Sequence, residues 1–204
     1  VVGSRLNIVA EMAIAALAAP VLSCWPGEWP LWAGSLPPNF DILREGRAYR
    51  SAQPLGDELA SAIEMFGIRT VVNLRGSNPG QSWYDAEVAA CDAMGVMLAD
   101  HAMSAQSLPS PELLEAITNT LLTARHPILI HCQAGADRTG AVSAIYRMLV
   151  LGHDKAAALS ELSPVHLHLR AFTPCMDTLA ELYEPGPEWL AEYGATVAEI
   201  VCAP

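Results

Sequence analysis

From Asn39 onward the apolar positions fall in short runs that switch between a period of two and a helical period. Ile42 to Leu43 and Ala48 to Arg50 read as a strand pair, and Gly56 to Phe66 reads as a helix stopped by Gly67. A strand over Thr70–Leu74 follows, then a helix over Trp83–Met94 ended by Gly95, then a strand over Val96–Ala99. Ser110 is a natural N-cap with Pro111 at the first helical position, which opens a helix reaching Ala124. Ile128, Leu129 and Ile130 form an uninterrupted apolar run, as expected of a central strand buried on both faces. Beyond it the pattern is helical over Arg138–Leu151, Lys155–Leu162, Met176–Tyr183 and Trp189–Val201. Strands alternating with helices of this length predict an α/β fold, a mostly parallel central sheet flanked by helices on both faces.

Upstream, Leu6 to Ser23 is an apolar, Ala-rich stretch interrupted by Glu11, with Pro20 near its end, and four prolines lie between Pro26 and Pro38. The apolar stretch falls between the descriptions of a spanning helix and of a signal segment. It fits either a membrane or export element or an amphipathic helix packed on the domain, so localisation stays open between membrane-anchored or exported and cytoplasmic. The expected organisation is an apolar segment with a Pro- and Trp-rich linker over 1–38, then one folded domain with a helical C-terminal part over 39–204.

Charge narrows the function. Acidic residues outnumber basic ones 22 to 11, a net charge of −11, and Lys155 is the only lysine. Such a chain repels nucleic acid and polyphosphates unless a local positive pocket overrides the balance, so no nucleic-acid partner is expected. The five cysteines, Cys24, Cys91, Cys132, Cys175 and Cys202, are widely spaced without a CxxC pair, which suggests neither a disulfide framework nor a zinc site. Apart from Cys132, they read as small apolar fillers or surface thiols.

The chemistry concentrates in ILIHCQAGADRTGAVSAIYR, from Ile128 to Arg147. A buried strand ends at His131, a tight loop containing Gly135 follows, and a helix starts near Arg138. In that arrangement the backbone N–H groups of Gln133, Ala134, Gly135, Ala136 and Asp137 and the helix N-terminus point into one concavity suited to a phosphate dianion. Cys132 lies at its base, where the positive surroundings favour thiolate, the nucleophilic form. The planar fork of Arg138 can hold two phosphoryl oxygens and tighten as charge spreads in the transition state. Thr139 is expected to donate its hydroxyl to the Cys132 sulfur, and His131 to organise the loop with its side chain turned away from phosphate. A Cys and an Arg at this spacing alone say little, whereas the full string HCxxGxxRTG between a strand and a helix is a specific signal.

On that string the chain resembles the compact bacterial members of the protein tyrosine phosphatase superfamily, of the dual-specificity type. The likeness extends to NFDILREGRAYRSAQP (Asn39 to Pro54), GIRTVVNLRG (Gly67 to Gly76) and SWYDAE (Ser82 to Glu87). The resemblance implies the cysteine-phosphatase fold with a sheet of about five strands, no metal or cofactor, and a phosphocysteine intermediate on Cys132. The expected partner is a phosphorylated protein, phosphotyrosine foremost, or a small phosphate monoester. Inositol phosphates or phosphoinositides and a non-catalytic phosphate-binding role are the rivals. Several bacterial relatives carry an N-terminal membrane or export segment, so membrane association through residues 6–23 stays open.

Four features are left for geometry to settle. Arg75, closing the strand VVNLR, is placed to reach the rim of the site or to form a surface salt bridge. Trp83 and Tyr84 can wall an aromatic pocket or simply pack. His166 and His168 alternate as on a strand, with no acidic partner in view. The general acid is open between Asp100, the only carboxylate from Asp100 to Ser110, Asp137, which is expected to accept hydrogen bonds from neighbouring backbone or arginine, and no dedicated side-chain acid at all.

Overall fold

The computed structural model describes residues 35–202; the apolar stretch over 6–23 and most of the preceding linker lie outside the described residues. Strands β1 (Asp41–Arg44), β2 (Ala48–Ser51), β3 (Thr70–Asn73), β4 (Met97–Asp100) and β5 (Ile128–His131) form one sheet in the order β1-β2-β5-β3-β4. Only the β1–β2 hairpin is antiparallel; β2, β5, β3 and β4 run parallel. The α/β reading therefore holds, with β5 at the centre of the sheet.

The apolar run of β5 divides its side chains between two cores. Ile128 and Ile130 face a layer that includes Val72, Leu114, Ile117, Ile145 and Met176, while Leu129 faces Tyr49, Leu59, Ile63, Val71 and Cys91 on the other side. The second layer is closed by α1 (Gly56–Phe66) and α2 (Ser82–Met94). The first is closed by α3 (Pro111–Thr123), α4 (Asp137–Leu149), α6 (Pro174–Leu182) and α7 (Pro187–Thr196), with the short α5 (Lys155–Ala158) between. Every residue of α4 from Thr139 to Tyr146 is buried, so this helix is held from all sides. The N-cap reading of α3 holds: Ser110 Oγ accepts from the Leu113 N–H, with Pro111 in the first turn. Leu36 already packs against the second core, so part of the expected linker belongs to the folded body. Among the described residues no helix is long and apolar enough to cross a membrane.

The C-terminal part departs from the sequence reading, and its last helix, expected over Trp189–Val201, ends at Thr196 before a 3-10 turn over Val197–Glu199. The helix expected over Lys155–Leu162 stops at Ala158 and tightens into a 3-10 turn over Leu159–Glu161. The strand-like alternation around the two histidines is instead a 3-10 turn over Pro164–His166 closed by Leu167 in the left-handed region, φ +64°. Pro164 opens that turn and the His168 N–H donates to Ser163 O, so local chain reversal overrides the period-two pattern. The cysteine reading is also corrected: Cys175 and Cys202 form a disulfide that ties α6 to the C-terminal end. Their 27-residue separation hides the pairing, because only the return of α7 brings the two together.

Candidate active site

The parallel strands end level with one another. Ser51 of β2 and Asn73 of β3 both pair in register with His131 of β5, and Asn73 pairs with Asp100 of β4, so four strand ends open on one crevice. Cys132 follows immediately and is 2% exposed. The loop after it has its carbonyls turned outward and occupied. Gln133 O accepts from the Gln53 N–H at 3.1 Å, Ala134 O from Asn39 Nδ2 at 3.0 Å, and Gly135 O from Arg50 Nη2 at 2.6 Å. With the carbonyls held from outside, the N–H groups face the opposite way. Among the described residues none of those from Gln133 to Arg138 donates to another protein group. The loop is thus a ring of free amide donors ending in the N-terminus of α4, with the Cys132 thiol buried at its base.

Two glycines make this possible. Gly135 has φ +69°, and a Cβ there would stand 2.5 Å from Ala52 N and from the Ser51 carbonyl carbon. Only glycine accommodates both the turn and the approach to β2. At Gly140 a Cβ would meet Glu161 O at 2.9 Å, so its absence lets the 3-10 turn close on α4 and bring Glu161 beneath the loop.

Arg138 is anchored by one edge. Its Nη1 donates to Leu74 O at 3.2 Å and Met103 O at 3.1 Å, while Nε is buried with no partner among the described residues. One part of the guanidinium is fixed to the scaffold and other donors remain for an oxyanion. Thr139 Oγ1 is likewise buried without a partner, so the expected bond to the Cys132 sulfur is not formed. Asp137 is turned out of the loop: it accepts from Thr173 Oγ1 and pairs with His168 Nδ1, both at 2.8 Å, rather than with backbone or arginine as expected. The hydrogen bond from His168 is the main reason its carboxyl lies below the ordinary aspartate value. His168, expected to have no acidic partner, has two, Asp137 and Asp177.

Beneath the loop lies support that sequence reasoning missed. Arg50, fully buried on β2, binds Glu161 Oε2 at 2.5 Å and Glu161 O at 2.9 Å besides the loop carbonyl of Gly135. Glu87 of α2, also fully buried, pairs with His131 Nε2 at 2.6 Å and accepts from Gln53 Nε2 at 3.2 Å. Gln53 Oε1 in turn accepts from Arg75 Nη1 at 3.0 Å, and the Arg75 guanidinium lies 3.4 Å from the centre of the Trp83 ring. Arg75 therefore belongs to a chain running His131, Glu87, Gln53, Arg75, Trp83, rather than to a surface salt bridge. Burial first, and then the neighbouring Arg138 guanidinium, push Arg75 below the ordinary arginine value. Trp83 offers its face to Arg75, and Tyr84 packs edge-on against Trp83. The available signal was an arginine in the fully buried strand AYRS and a glutamate facing inward from α2.

Asp100 closes β4 two strands away from Cys132. Its carboxylate is engaged on both oxygens, by Asn73 Nδ2 at 2.8 Å and by the Tyr84 hydroxyl.

A family model described as "DSP-PTPase phosphatase fused to NAD+ Kinase" matches residues 38–172. The dual specificity protein phosphatase TpbA of Pseudomonas aeruginosa is 30% identical over 135 residues, covering 65% of this chain and 58% of TpbA. The chain thus spans somewhat over half the length of that curated relative. Among solved structures, P. aeruginosa TpbA superposes with a TM-score of 0.58 at 22% identity, covering 83% of this chain and 98% of that one. The catalytic core of the S. cerevisiae PP-IP phosphatase Siw14 superposes with a TM-score of 0.58 at 22% identity, covering 80% and 96%. These likenesses establish the cysteine-phosphatase fold. Because the matched segment takes in the strand ends, the cysteine loop and α4 and makes up more than half of the chain, this protein belongs to the dual-specificity-type phosphatase (DSP-PTPase) family.

Proposed function

We propose that the protein hydrolyses phosphate monoesters through a phosphocysteine on Cys132, with phosphotyrosine in proteins as the leading substrate. The observation that carries this reading is the outward anchoring of three loop carbonyls by Gln53, Asn39 and Arg50, which leaves the N–H groups around a buried Cys132. In the first step the Cys132 thiolate attacks phosphorus, the P–O bond to the leaving group breaks, and the amides of Gln133, Ala134, Gly135, Ala136 and Asp137, with Arg138, hold the equatorial oxygens. In the second, water attacks the phosphocysteine, releases inorganic phosphate and returns the thiolate, with the Thr139 hydroxyl available to the departing sulfur. Arg75, close enough for the Arg138 guanidinium to lower its pKa, is assigned to the rim.

Two observations favour phosphotyrosine over inositol polyphosphates. The chain's single lysine, Lys155, is paired with Glu184 and Glu181 O on α5, away from the loop. The exposed loop residues Gln133 and Ala134 bring no cation. A crystal structure of a cysteine-to-serine variant of TpbA with phosphotyrosine supports the same choice by analogy. The proton for the leaving group is assigned to Asp100, the only carboxylate of the Asp100–Ser110 stretch, for which the Tyr84 hydroxyl has to give way. The Cys175–Cys202 disulfide supports an oxidising compartment, as for an exported protein.

Hydrolysis of an aryl phosphate and of a phosphotyrosine peptide by the purified protein, with a chelator present, tests the reading. Turnover that needs no added metal is expected; oxyanion binding without turnover would instead identify a phosphate-binding module.

A further inference from the structure

Between the cysteine loop and α6 lies a buried polar cluster to which the hydrolysis scheme gives no task. His168 is 2% exposed and has a carboxylate at each ring nitrogen: Asp137 Oδ1 is 2.8 Å from Nδ1, and Asp177 Oδ2 is 2.8 Å from Nε2. Ionised carboxylates only accept hydrogen bonds, so two of them on one imidazole require two ring N–H groups, and the ring is the imidazolium cation. A neutral ring has one N–H and would leave one carboxylate facing a nitrogen lone pair in a site nearly closed to water. Burial alone pushes the imidazole down, but the bonds to Asp137 and Asp177 more than offset it and leave His168 above the ordinary histidine value.

The charges around the ring come from α4, from α6 and from the segment between His168 and α6. Asp137 and, behind it, Arg138 belong to α4; Asp177 belongs to α6. Arg170, paired with Glu181, adds its field at Asp177. Asp137 is the first residue of α4 and the immediate neighbour of Arg138, at the point where loop becomes helix. We propose that His168 is a positioning residue: by bridging Asp137 to Asp177 it ties the Arg138 end of the cysteine loop to α6 and holds that loop in its oxyanion-binding conformation. This rests on the reading of the loop as a phosphate cradle.

The sign of the pH effect follows. A histidine raised in the folded state stabilises fully below its unfolded value of about 6.5 and loses that contribution as pH rises through the folded value. The bridge, and with it the loop, therefore weakens on the alkaline side.

The test joins nitrogen NMR of the His168 ring, vanadate affinity and the pH profile of kcat for an aryl phosphate, in the wild type and in Asp177→Asn and His168→Gln. Wild-type His168 is expected to carry both ring protons at neutral pH, and its titration to coincide with an alkaline fall in vanadate affinity. Asp177→Asn should move the titration and that fall together to lower pH, while activity on the acid side of the shifted titration stays near wild type. His168→Gln should remove the limb and lower kcat by up to about 10²-fold, with a smaller change in KM. A neutral ring at neutral pH, or an alkaline limb that stays put when Asp177→Asn shifts the titration, overturns the proposal. Should Asp177→Asn fail to fold, the coincidence of the two wild-type curves decides alone. Absence of aryl phosphate turnover would count against the enzymatic reading and not against the bridge, which vanadate affinity and the NMR titration still report.

Discussion

The cysteine loop and the segment Ser163–Thr173 that packs against it are both short, irregular and polar, yet they are specified in opposite ways. The course of the loop is written in its own sequence, a strand that ends, a glycine at φ +69° and a helix that begins, and Gln53, Asn39 and Arg50 then hold its carbonyls from outside. The second segment takes its conformation from distant partners: His166 from Asp41 and Asn39, His168 from Asp137 and Asp177, Phe172 O from Gln106. Chemistry sits in the locally encoded part, while the orientation of that part is supplied from far along the chain.

The largest effect should come from inside the loop. Cys132→Ser is expected to abolish turnover while vanadate still binds, because the amide ring and Arg138 remain; steady-state assay and calorimetric titration check the two halves. Arg138→Lys keeps the charge but loses the fork, and kcat should fall by about 10² to 10³, the range for removing one preorganised oxyanion donor.

One step outward, Arg50→Met leaves Glu161 buried beside Arg147 and the Gly135 carbonyl without its donor. Removing one partner of a buried ion pair costs about 3 to 5 kcal/mol, and because Arg147 still pairs with Glu161 denaturant unfolding should show a loss at the lower end of that range. A loss below about 1 kcal/mol, the scale of a surface pair, would show that the loop does not depend on this support.

That gradient explains what was legible in the sequence. The strand ends, the glycine turn and the helix start could be read because each is signalled by residues next to it in sequence, and the parallel sheet followed from alternating periods. Arg50, Glu87 and Gln53 could not be assigned, since an arginine in a buried strand or a glutamate on an amphipathic helix has no reading until the residues they meet, Glu161 and His131, are brought to them by the fold. His168 misled for the same reason. Its period-two spacing with His166 looked like a strand, and its two acidic partners lie 31 and 9 residues away. The disulfide needed α7 to turn back before Cys202 reached Cys175.

Smaller effects sharpen the contrast. Asp100→Asn should slow phenyl phosphate hydrolysis by about 10², the low end for a general acid because Tyr84 and Asn73 hold the carboxylate, and should slow p-nitrophenyl phosphate far less. Equal slowing of both would assign Asp100 a structural role. Cys202→Ser opens the tie between the C-terminal end and α6 and should lower stability by about 3 kcal/mol with kcat nearly unchanged, as followed by chemical denaturation and steady-state assay.

Trapping the intermediate asks whether Cys132 carries the phosphoryl group. The protein is mixed with a phosphotyrosine peptide, quenched in acid within a turnover, digested and analysed by mass spectrometry. One phosphoryl group is expected on the peptide that carries Cys132, absent in Cys132→Ser; turnover without phosphocysteine, or with the phosphoryl group on another residue, would overturn the phosphocysteine mechanism.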